Sequence, residues 1–478
     1  MRAFASLSLT VFALAVSNAT LSAHSQSPIV QSQTISGGTP GGDAQSAANT
    51  VRAEHETQSA AQIQGLSQDQ SYAQNQAAAQ KAEAQARTQA IAARKEQWAE
   101  RQVAFTPPMG WNSWNHFAGN VTDKDIRVAA DQLIATGMKD AGYIYVNIDD
   151  TWEGERDSHG ELHANSKFPD MKALADYVHS KGLKIGIYSS PGSKTCGGFA
   201  GSLGHEEQDA KMYAAWGIDY LKYDLCSFRE DVLDKQAPND PALQMKLIIG
   251  AYAKMDKALK ATGRPIVYSF CQYGWDAVWE WGPAAGANLW RTTGDVTPEW
   301  DRIYSIVSQQ AGLAAYSGPG HWNDPDMLEV GNGKLTLAEN RSHFSWWAML
   351  AAPLLAGNDL PNMKPEIHDI LTNRDVIAID QDSLGRQGIR AYSDGEVEVW
   401  ARPLSTGALV LGIFDVGDSR YSTHPFHLKL SKLNLTATQT AKDLWTGKTV
   451  QLTDNMPIEI TSHDVLLLRI DKPSVQLH

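Results

Sequence analysis

The residues of this chain best equipped for chemistry are carboxylates set among aromatic side chains. Tyr220-Leu221-Lys222-Tyr223-Asp224-Leu225-Cys226 is a short aromatic and aliphatic run with a Lys and an Asp two positions apart. Side chains alternate along a strand, so Lys222 and Asp224 share one face while Leu221, Tyr223 and Leu225 share the other. Taken alone, such a Lys-x-Asp is more often a buried ion pair holding a core together than a reaction centre. Two adjacent acids, Asp149 and Asp150, close another apolar run, where charge repulsion is costly unless donors surround them. Paired carboxylates with aromatic neighbours suit glycosidic-bond chemistry, which needs two acids flanking an anomeric carbon. The sequence has no HExxH (His205-Glu206-Glu207 matches only its start), no paired CxxC and no EF-hand loop, so no metal site and no cofactor is expected. A GxxxxGK[ST] phosphate loop is also missing, which sets phosphoryl transfer aside.

The elements that must position these acids follow from the pattern between Phe105 and Gly385. Eight strand-like runs recur there: Gly110 to Trp114, Tyr143 to Asp150, Lys184 to Tyr188, Asp219 to Asp224, Ile266 to Cys271, Asn288 to Thr293, Gly318 to Trp322 and Leu354 to Asn358. Helical spacing fills several gaps, as in Asp123 to Asp140, Met171 to Lys181, Glu206 to Trp216 and Leu243 to Thr262. Strands alternating with helices in this number fit a (β/α)8 TIM barrel, with a doubly wound open sheet as the runner-up, which no GxGxxG supports. The polar residues Trp114, Asp149, Asp150, Tyr188, Asp224, Cys271, Arg291 and Asn358 with Asp359 fall at the strands' C-terminal ends, where barrel enzymes build their sites. After Gly385 the text changes to alternating strands: Glu396 to Pro403, Ala408 to Val416, Pro425 to Leu430, Met456 to Thr461 and His463 to Ile470. A C-terminal antiparallel β-sandwich is expected there.

The 478 residues, 42% apolar and including 15 Trp, allow a large core. The net charge of −13 opposes nucleic acid and anionic membrane surfaces as partners and leaves neutral substrates open. Met1 to Ala23 has an early Arg2, an apolar run from Leu7 to Val16 and a small-residue exit, the pattern of a signal peptide. No later run has the ~18 apolar residues of a membrane span, so a secreted or periplasmic protein is expected. Residues 24–104 form an Ala/Gln-rich spacer, helix-prone in its second half, ahead of a barrel over 105–384 and a β domain over 385–478. Three cysteines permit one bridge with one thiol left over.

Several motifs together carry a resemblance. Met109-Gly110-Trp111-Asn112-Ser113-Trp114, Ile148-Asp149-Asp150, the run from His179 to Tyr188, Lys194-Thr195-Cys196, YLKYD at 220–224, Trp290 to Asp295 and Trp322-Asn323-Asp324-Pro325-Asp326-Met327-Leu328 stand in one order within the stretch from Phe105 to about Gly385. In them the chain resembles the glycoside hydrolase family 27 α-galactosidases. The resemblance implies a retaining exo-hydrolase that releases terminal α-linked galactose from oligosaccharides, polysaccharides or glycoconjugates, with Asp224 as nucleophile and Asp295 as general acid/base. Retention needs the two carboxyl groups ~5–5.5 Å apart. Lys222 beside Asp224 would favour its charged form, and Asp295 would need a drier place or a neighbouring negative charge to start protonated. The resemblance further implies that Asp149, Asp150, Lys222 and Arg291 bind sugar hydroxyls, that Trp114 stacks beneath the ring, and that Cys196 and Cys226 form a disulfide.

One segment departs from that pattern: Cys271-Gln272-Tyr273 stands where many members have Cys-Glu-Trp, a segment that meets the substituent at C2. Gln272 keeps an acceptor without the charge and Tyr273 shrinks the wall. Kindred readings are an α-N-acetylgalactosaminidase or a β-L-arabinopyranosidase, the latter disfavoured by the presence of both Asp149 and Asp150. A carbohydrate-binding protein with an inactive site is the non-enzyme reading, and it has no need of both Asp224 and Asp295. Thr151 stands where many relatives have a further Cys, so a second bridge is not expected.

Overall fold

A computed structural model describes residues 103–417 and 423–475. The signal peptide expected over residues 1–23, and the spacer up to residue 102, lie outside the described residues.

Eight parallel strands form the first sheet: β1 (Met109–Asn112), β2 (Tyr145–Asn147), β3 (Lys184–Ser189), β4 (Tyr220–Asp224), β5 (Val267–Cys271), β6 (Leu289–Arg291), β7 (Trp322–Asp324) and β8 (Leu354–Ala356). They pair in chain order, and β8 returns to β1 with Leu354 beside Met109. The ring closes just past β7, where Leu328 bridges Ala356 in parallel. This is the (β/α)8 barrel, with seven strands where the sequence placed them, mostly shorter at the ends, and β7 displaced to Trp322–Asp324 from the expected Gly318 to Trp322, because Gly318 and His321 close a tight antiparallel bridge.

The outer layer includes α1 (Asp123–Ala135), α2 (Met171–Ser180), α3 (Glu206–Trp216), α4 (Pro241–Ala261), α5 (Trp300–Gln310), α6 (Leu337–Leu350) and α7 (Pro365–Leu371). A capping box starts α1, the Thr122 hydroxyl and the Asp125 carboxylate each satisfying the other's backbone N–H. The helix expected through Asp140 stops early, because Gly137 takes a φ of 76° and Met138–Ala141 forms a separate turn.

The alternation of β4 sorts its residues by layer. Tyr220 lies in the barrel floor with Tyr145, Val267, Leu289 and Trp322, all at or near the starts of their strands. Leu221, Tyr223 and Leu225 face the helices, and the Tyr223 ring meets Tyr252 of α4 edge-on at 5.6 Å. Lys222 and Asp224 are left pointing to the barrel's interior near its mouth.

The C-terminal part is antiparallel: β9 (Ile389–Asp394), β10 (Val397–Pro403), β11 (Leu409–Asp415), β12 (Thr423–Leu428), β13 (Thr438–Asp443), β14 (Thr449–Thr453), β15 (Met456–Thr461) and β16 (Val465–Ile470). Six of them form a sheet in the order β9-β10-β11-β16-β13-β14, and β12 pairs with β15. Three, β9, β13 and β14, were not among the expected strands. The edge strand β9 has no buried face to impose an alternation. In β13 the inward positions include Gln439 and Asp443, so its alternation is of burial and not of polarity.

Candidate active site

The barrel mouth holds a cavity of about 480 Å³, within the range of roughly 300–1,000 Å³ common for small-molecule sites. Trp114, Asp149, Asp150, Lys222, Asp224, Tyr273, Arg291 and Asp295, residues singled out from strand ends and loops far apart in the chain, all line it. Trp114 is 38% exposed, so its ring is offered to the cavity and is not consumed by the core.

Asp149 and Asp150 end the segment after β2, both nearly fully buried. Asn112 Nδ2 and Lys222 Nζ donate to Asp149 Oδ2 at 2.8 and 2.9 Å, and the Asp150 amide donates to Asp149 Oδ1 at 2.9 Å. Gly197 N donates to Asp150 Oδ2 at 2.6 Å. Burial nevertheless raises the Asp150 pKa, against the donors from Thr195 and Gly197 that pull it down. The next residue, Thr151, is β-branched yet sits at a φ of 83°, a costly conformation held by its hydroxyl bond to Gly119 O and by Lys167 Nζ.

Lys222 therefore pairs with Asp149, which corrects the expectation of an ion pair with Asp224 along the strand. Burial works against the Lys222 charge, but Asp149 first, with Cys271, Asp224 and Asp326, pushes its pKa well up. Asp224 is 5% exposed and accepts a hydrogen bond from Tyr273, whose hydroxyl donates to Oδ1 at 2.7 Å. Burial raises the Asp224 pKa; the Lys222 charge and the donors Tyr273, Cys271 and Tyr188 oppose that rise without cancelling it.

From Tyr273 the network runs on to the second acid. The Arg291 guanidinium lies 5.8 Å over the Tyr273 ring and donates through Nη2 to Asp295 Oδ1 at 2.9 Å. The same nitrogen is 2.9 Å from Asp326 Oδ2. The Asp295 side chain is 75% exposed. Such burial as it has raises its pKa, but the charge and hydrogen bond of Arg291 prevail and hold it below the usual carboxylate value. The expected dry or negative setting for Asp295 is thus corrected: the neighbour is a cation.

Cys196 and Cys226 are joined, with S–S at 2.02 Å, and tie the loop after β3 to the end of β4. Cys271 is a buried thiol whose pKa burial pushes well up. Neither Cys271 nor Gln272 lines the cavity, a correction to their placement as sugar contacts. Gln272 is fully buried and spends its amide on Trp275 O at 3.3 Å, so Tyr273 alone presents this segment to the site. Tyr273 reaches inward because its backbone adopts a φ of 62°, followed by Gly274 at 82°.

Sequence reasoning gave no task to Asp324, Asp326, Glu329 or Asn115. Asp326 anchors Arg291 and accepts from Val296 N at 2.8 Å. Burial raises Asp324 to about 6 and Glu329 to about 7, although Asn332 and Asn115 donate to the Glu329 carboxylate. The available signal was three acids within six residues from the end of a barrel strand, in Asp324-Pro325-Asp326 and Glu329.

With this geometry in view, comparison with known proteins is informative. Residues 106–382 match the profile described as alpha galactosidase A, and residues 394–470 that of the alpha galactosidase C-terminal beta sandwich domain. Alpha-galactosidase A of Cellvibrio japonicus is 44% identical over 391 residues, 77% of this chain and 93% of that protein. The alpha-galactosidase of Cyamopsis tetragonoloba is 45% identical over 370 residues, 76% and 86% of the two chains. Among solved structures, alpha-galactosidase I from Mortierella vinacea superposes with a TM-score of 0.73 at 34% identity, over 79% of this chain and all of the other.

Proposed function

The chain belongs to the glycoside hydrolase family 27 α-galactosidases and is a glycoside hydrolase, and from that premise we propose the roles of its residues. Asp224 attacks the anomeric carbon of a terminal α-galactosyl unit and Asp295 protonates the departing oxygen. A water deprotonated by Asp295 then releases galactose with its configuration retained. The observation that carries this reading is the linkage of the two acids in one cavity through Tyr273 and Arg291. The Asp149 and Asp150 carboxylates accept from the hydroxyls at C4 and C6, and Lys222 donates to the same edge of the ring. Trp114 supplies the apolar platform beneath it. The readings with N-acetylgalactosamine or arabinopyranose, and that of an inactive binding protein, are not favoured.

The electrostatics set a condition on the mechanism. A proton must leave Asp224, whose pKa is raised, and stay on Asp295, whose pKa is lowered, so the working protonation state is the rarer arrangement of a shared proton. It is populated only where the pair holds one proton, which puts the kcat/KM optimum on the acidic side of neutrality. A sugar over Arg291 would draw the guanidinium toward its own hydroxyls and loosen its hold on Asp295.

We also propose that the chain is exported, on the strength of its N-terminal apolar run and the Cys196–Cys226 disulfide. Among the described residues no helix is long and apolar enough to cross a membrane.

The test of the catalytic assignment is Asp224→Ala assayed on an aryl α-galactoside. Turnover should fall by at least ~10⁴-fold while galactose still binds, as expected when a nucleophile is removed. Full activity in that variant would refute the assignment, and proton NMR showing β-galactose as the first product would refute retention.

A further inference from the structure

Beyond the segment Gly331-Asn332-Gly333 lies a second cavity, of about 270 Å³. Asn332 and Gly333 line both chambers, so the two share one wall. That wall is thin by construction. Gly331 and Gly333 have φ of 90° and 60°, and a Cβ on them would fall 2.8 Å from Ile367 and 2.6 Å from Pro298. Between them Asn332 is the one side chain, and it donates to Glu329 Oε2 at 2.6 Å. Glu329 also accepts from Asn115 at 2.9 Å, and both of these line the first cavity.

The far side of the second cavity is the loop after β8 and the first turn of α7. Asn358 and Asn362 bring amides, while Leu335, Leu337 and Met363 bring an apolar surface of which Leu337 is 44% exposed. Asn358 is itself 2% exposed, and its side-chain oxygen has no hydrogen-bond partner among the described residues. A buried acceptor left unpaired is costly, and a ligand hydroxyl is a suitable donor to it. Amides for hydroxyls beside an apolar surface for a ring's C–H face is the chemistry that recognises a sugar. Lys364 is outnumbered by Asp359 and Glu366 in the lining, which turns away acidic glycans, and the volume suits one ring.

We propose that this cavity binds a neutral sugar unit of the glycan from which the galactose is cut, reached across Asn332 from the first cavity. The proposal rests on the catalytic reading above, and adds to it a binding site outside the catalytic cavity, lined by residues of the loop after β8 and the start of α7. Two variants outside the catalytic cavity test it: Asn362→Trp, which fills the space, and Leu337→Ala, which strips its apolar surface. Each is assayed on p-nitrophenyl α-galactoside, whose leaving group carries no sugar, and on an α-galactosyl-substituted mannan. We expect kcat/KM on the mannan to fall about tenfold in Asn362→Trp and less in Leu337→Ala, with the aryl substrate within about twofold of wild type in both. An unchanged mannan rate, or an equal loss on both substrates, would overturn it. A wild-type enzyme inert toward the aryl galactoside would instead refute the catalytic reading, a result these variants cannot imitate.

Discussion

At the scale of single residues, Tyr273 does more than narrow the sugar's wall. Its hydroxyl fixes one oxygen of Asp224, which in the proposed mechanism leaves the other to attack, and it opposes the rise in pKa that burial imposes. The Tyr273 phenol, its own pKa raised by burial first and then by the nearby Cys271 and Asp224, stays a donor throughout the working range. In Tyr273→Phe the charged form of Asp224 loses a donor, so its pKa rises; because Asp295 gives up its proton first, the change falls on the basic limb of kcat/KM, which moves to higher pH, while less of the pair holds the working arrangement. The maximum should drop about tenfold, the scale of one hydrogen bond to a charged group. A limb that stays in place would show Tyr273 to be only packing. Glu329 makes a second residue-scale case. Its folded pKa of about 7 exceeds that of the unfolded chain, so the folded state holds the extra proton between the two values. Stability is therefore greatest below the unfolded pKa and declines as pH rises through about 7, by roughly 3 kcal/mol for this one group. Glu329→Gln removes that component. Its stability relative to wild type, by urea unfolding at stepped pH, should improve from pH ~4.5 to ~8; a difference independent of pH would refute Glu329 as the titrating group.

At the scale of elements, the position of Asp224, the proposed nucleophile, depends on how β4 is seated against β3. Gly186 of β3 has no room for a side chain: a Cβ there would lie 2.1 Å from Asn147 Oδ1 and 2.9 Å from Tyr220 Cβ. Tyr220 starts the strand that carries Lys222 and Asp224. Gly186→Ala should thus cost about 1–3 kcal/mol as overpacking and lower kcat more than it raises KM, since it displaces the attacking group. Asn147→Ala in the same chain should restore much of both, because the Asn147 amide has no partner among the described residues to lose. Failure of the second change to rescue the first would place the strain elsewhere. Elements also mark how far the sequence was legible. The strand-like runs located seven of the eight barrel strands and met the seventh, Trp322–Asp324, only at its first residue, and the acids at their ends fell into one cavity because a parallel barrel gathers every strand's C-terminal end. What the linear text could not carry was pairing across elements. Lys222 chose Asp149 over its neighbour on the strand, Arg291 chose Asp326 and Asp295, and Gln272 turned into its own loop. Each choice depends on where a different strand ends, and β13 escaped notice because its inward side chains are polar.

At the scale of the whole molecule, the barrel and the sandwich share a core and not merely a linker. Every described residue falls within one compact unit of the chain. Helix α6 is the shared element, buried along nearly its whole length, with Trp346 stacked on Phe414 of β11 at 4.4 Å. Trp445 Nε1 donates to Ser345 Oγ at 3.0 Å, Arg341 pairs with Asp464 at 2.6 Å, and buried Arg402 of β10 donates to Ala348 O. The ring of His463 stacks on Trp300 of α5 at 4.2 Å while its nitrogens meet Glu339 and Gly417 O. Removing the sandwich would expose the rings of Trp346 and Trp300 and take from Glu339 its contact with His463 within a largely apolar face. A chain ending at residue 384 should therefore be insoluble or molten, although the catalytic cavity lies wholly in the barrel. In the intact protein, barrel and sandwich should unfold together. Phe414→Ala, far from the cavity, should lower the midpoint of that single transition, at a cost of about 3–5 kcal/mol for a buried aromatic, with kcat on an aryl galactoside unchanged below the transition. Two resolved calorimetric transitions, only one of them moved by Phe414→Ala, would show that each part folds on its own core.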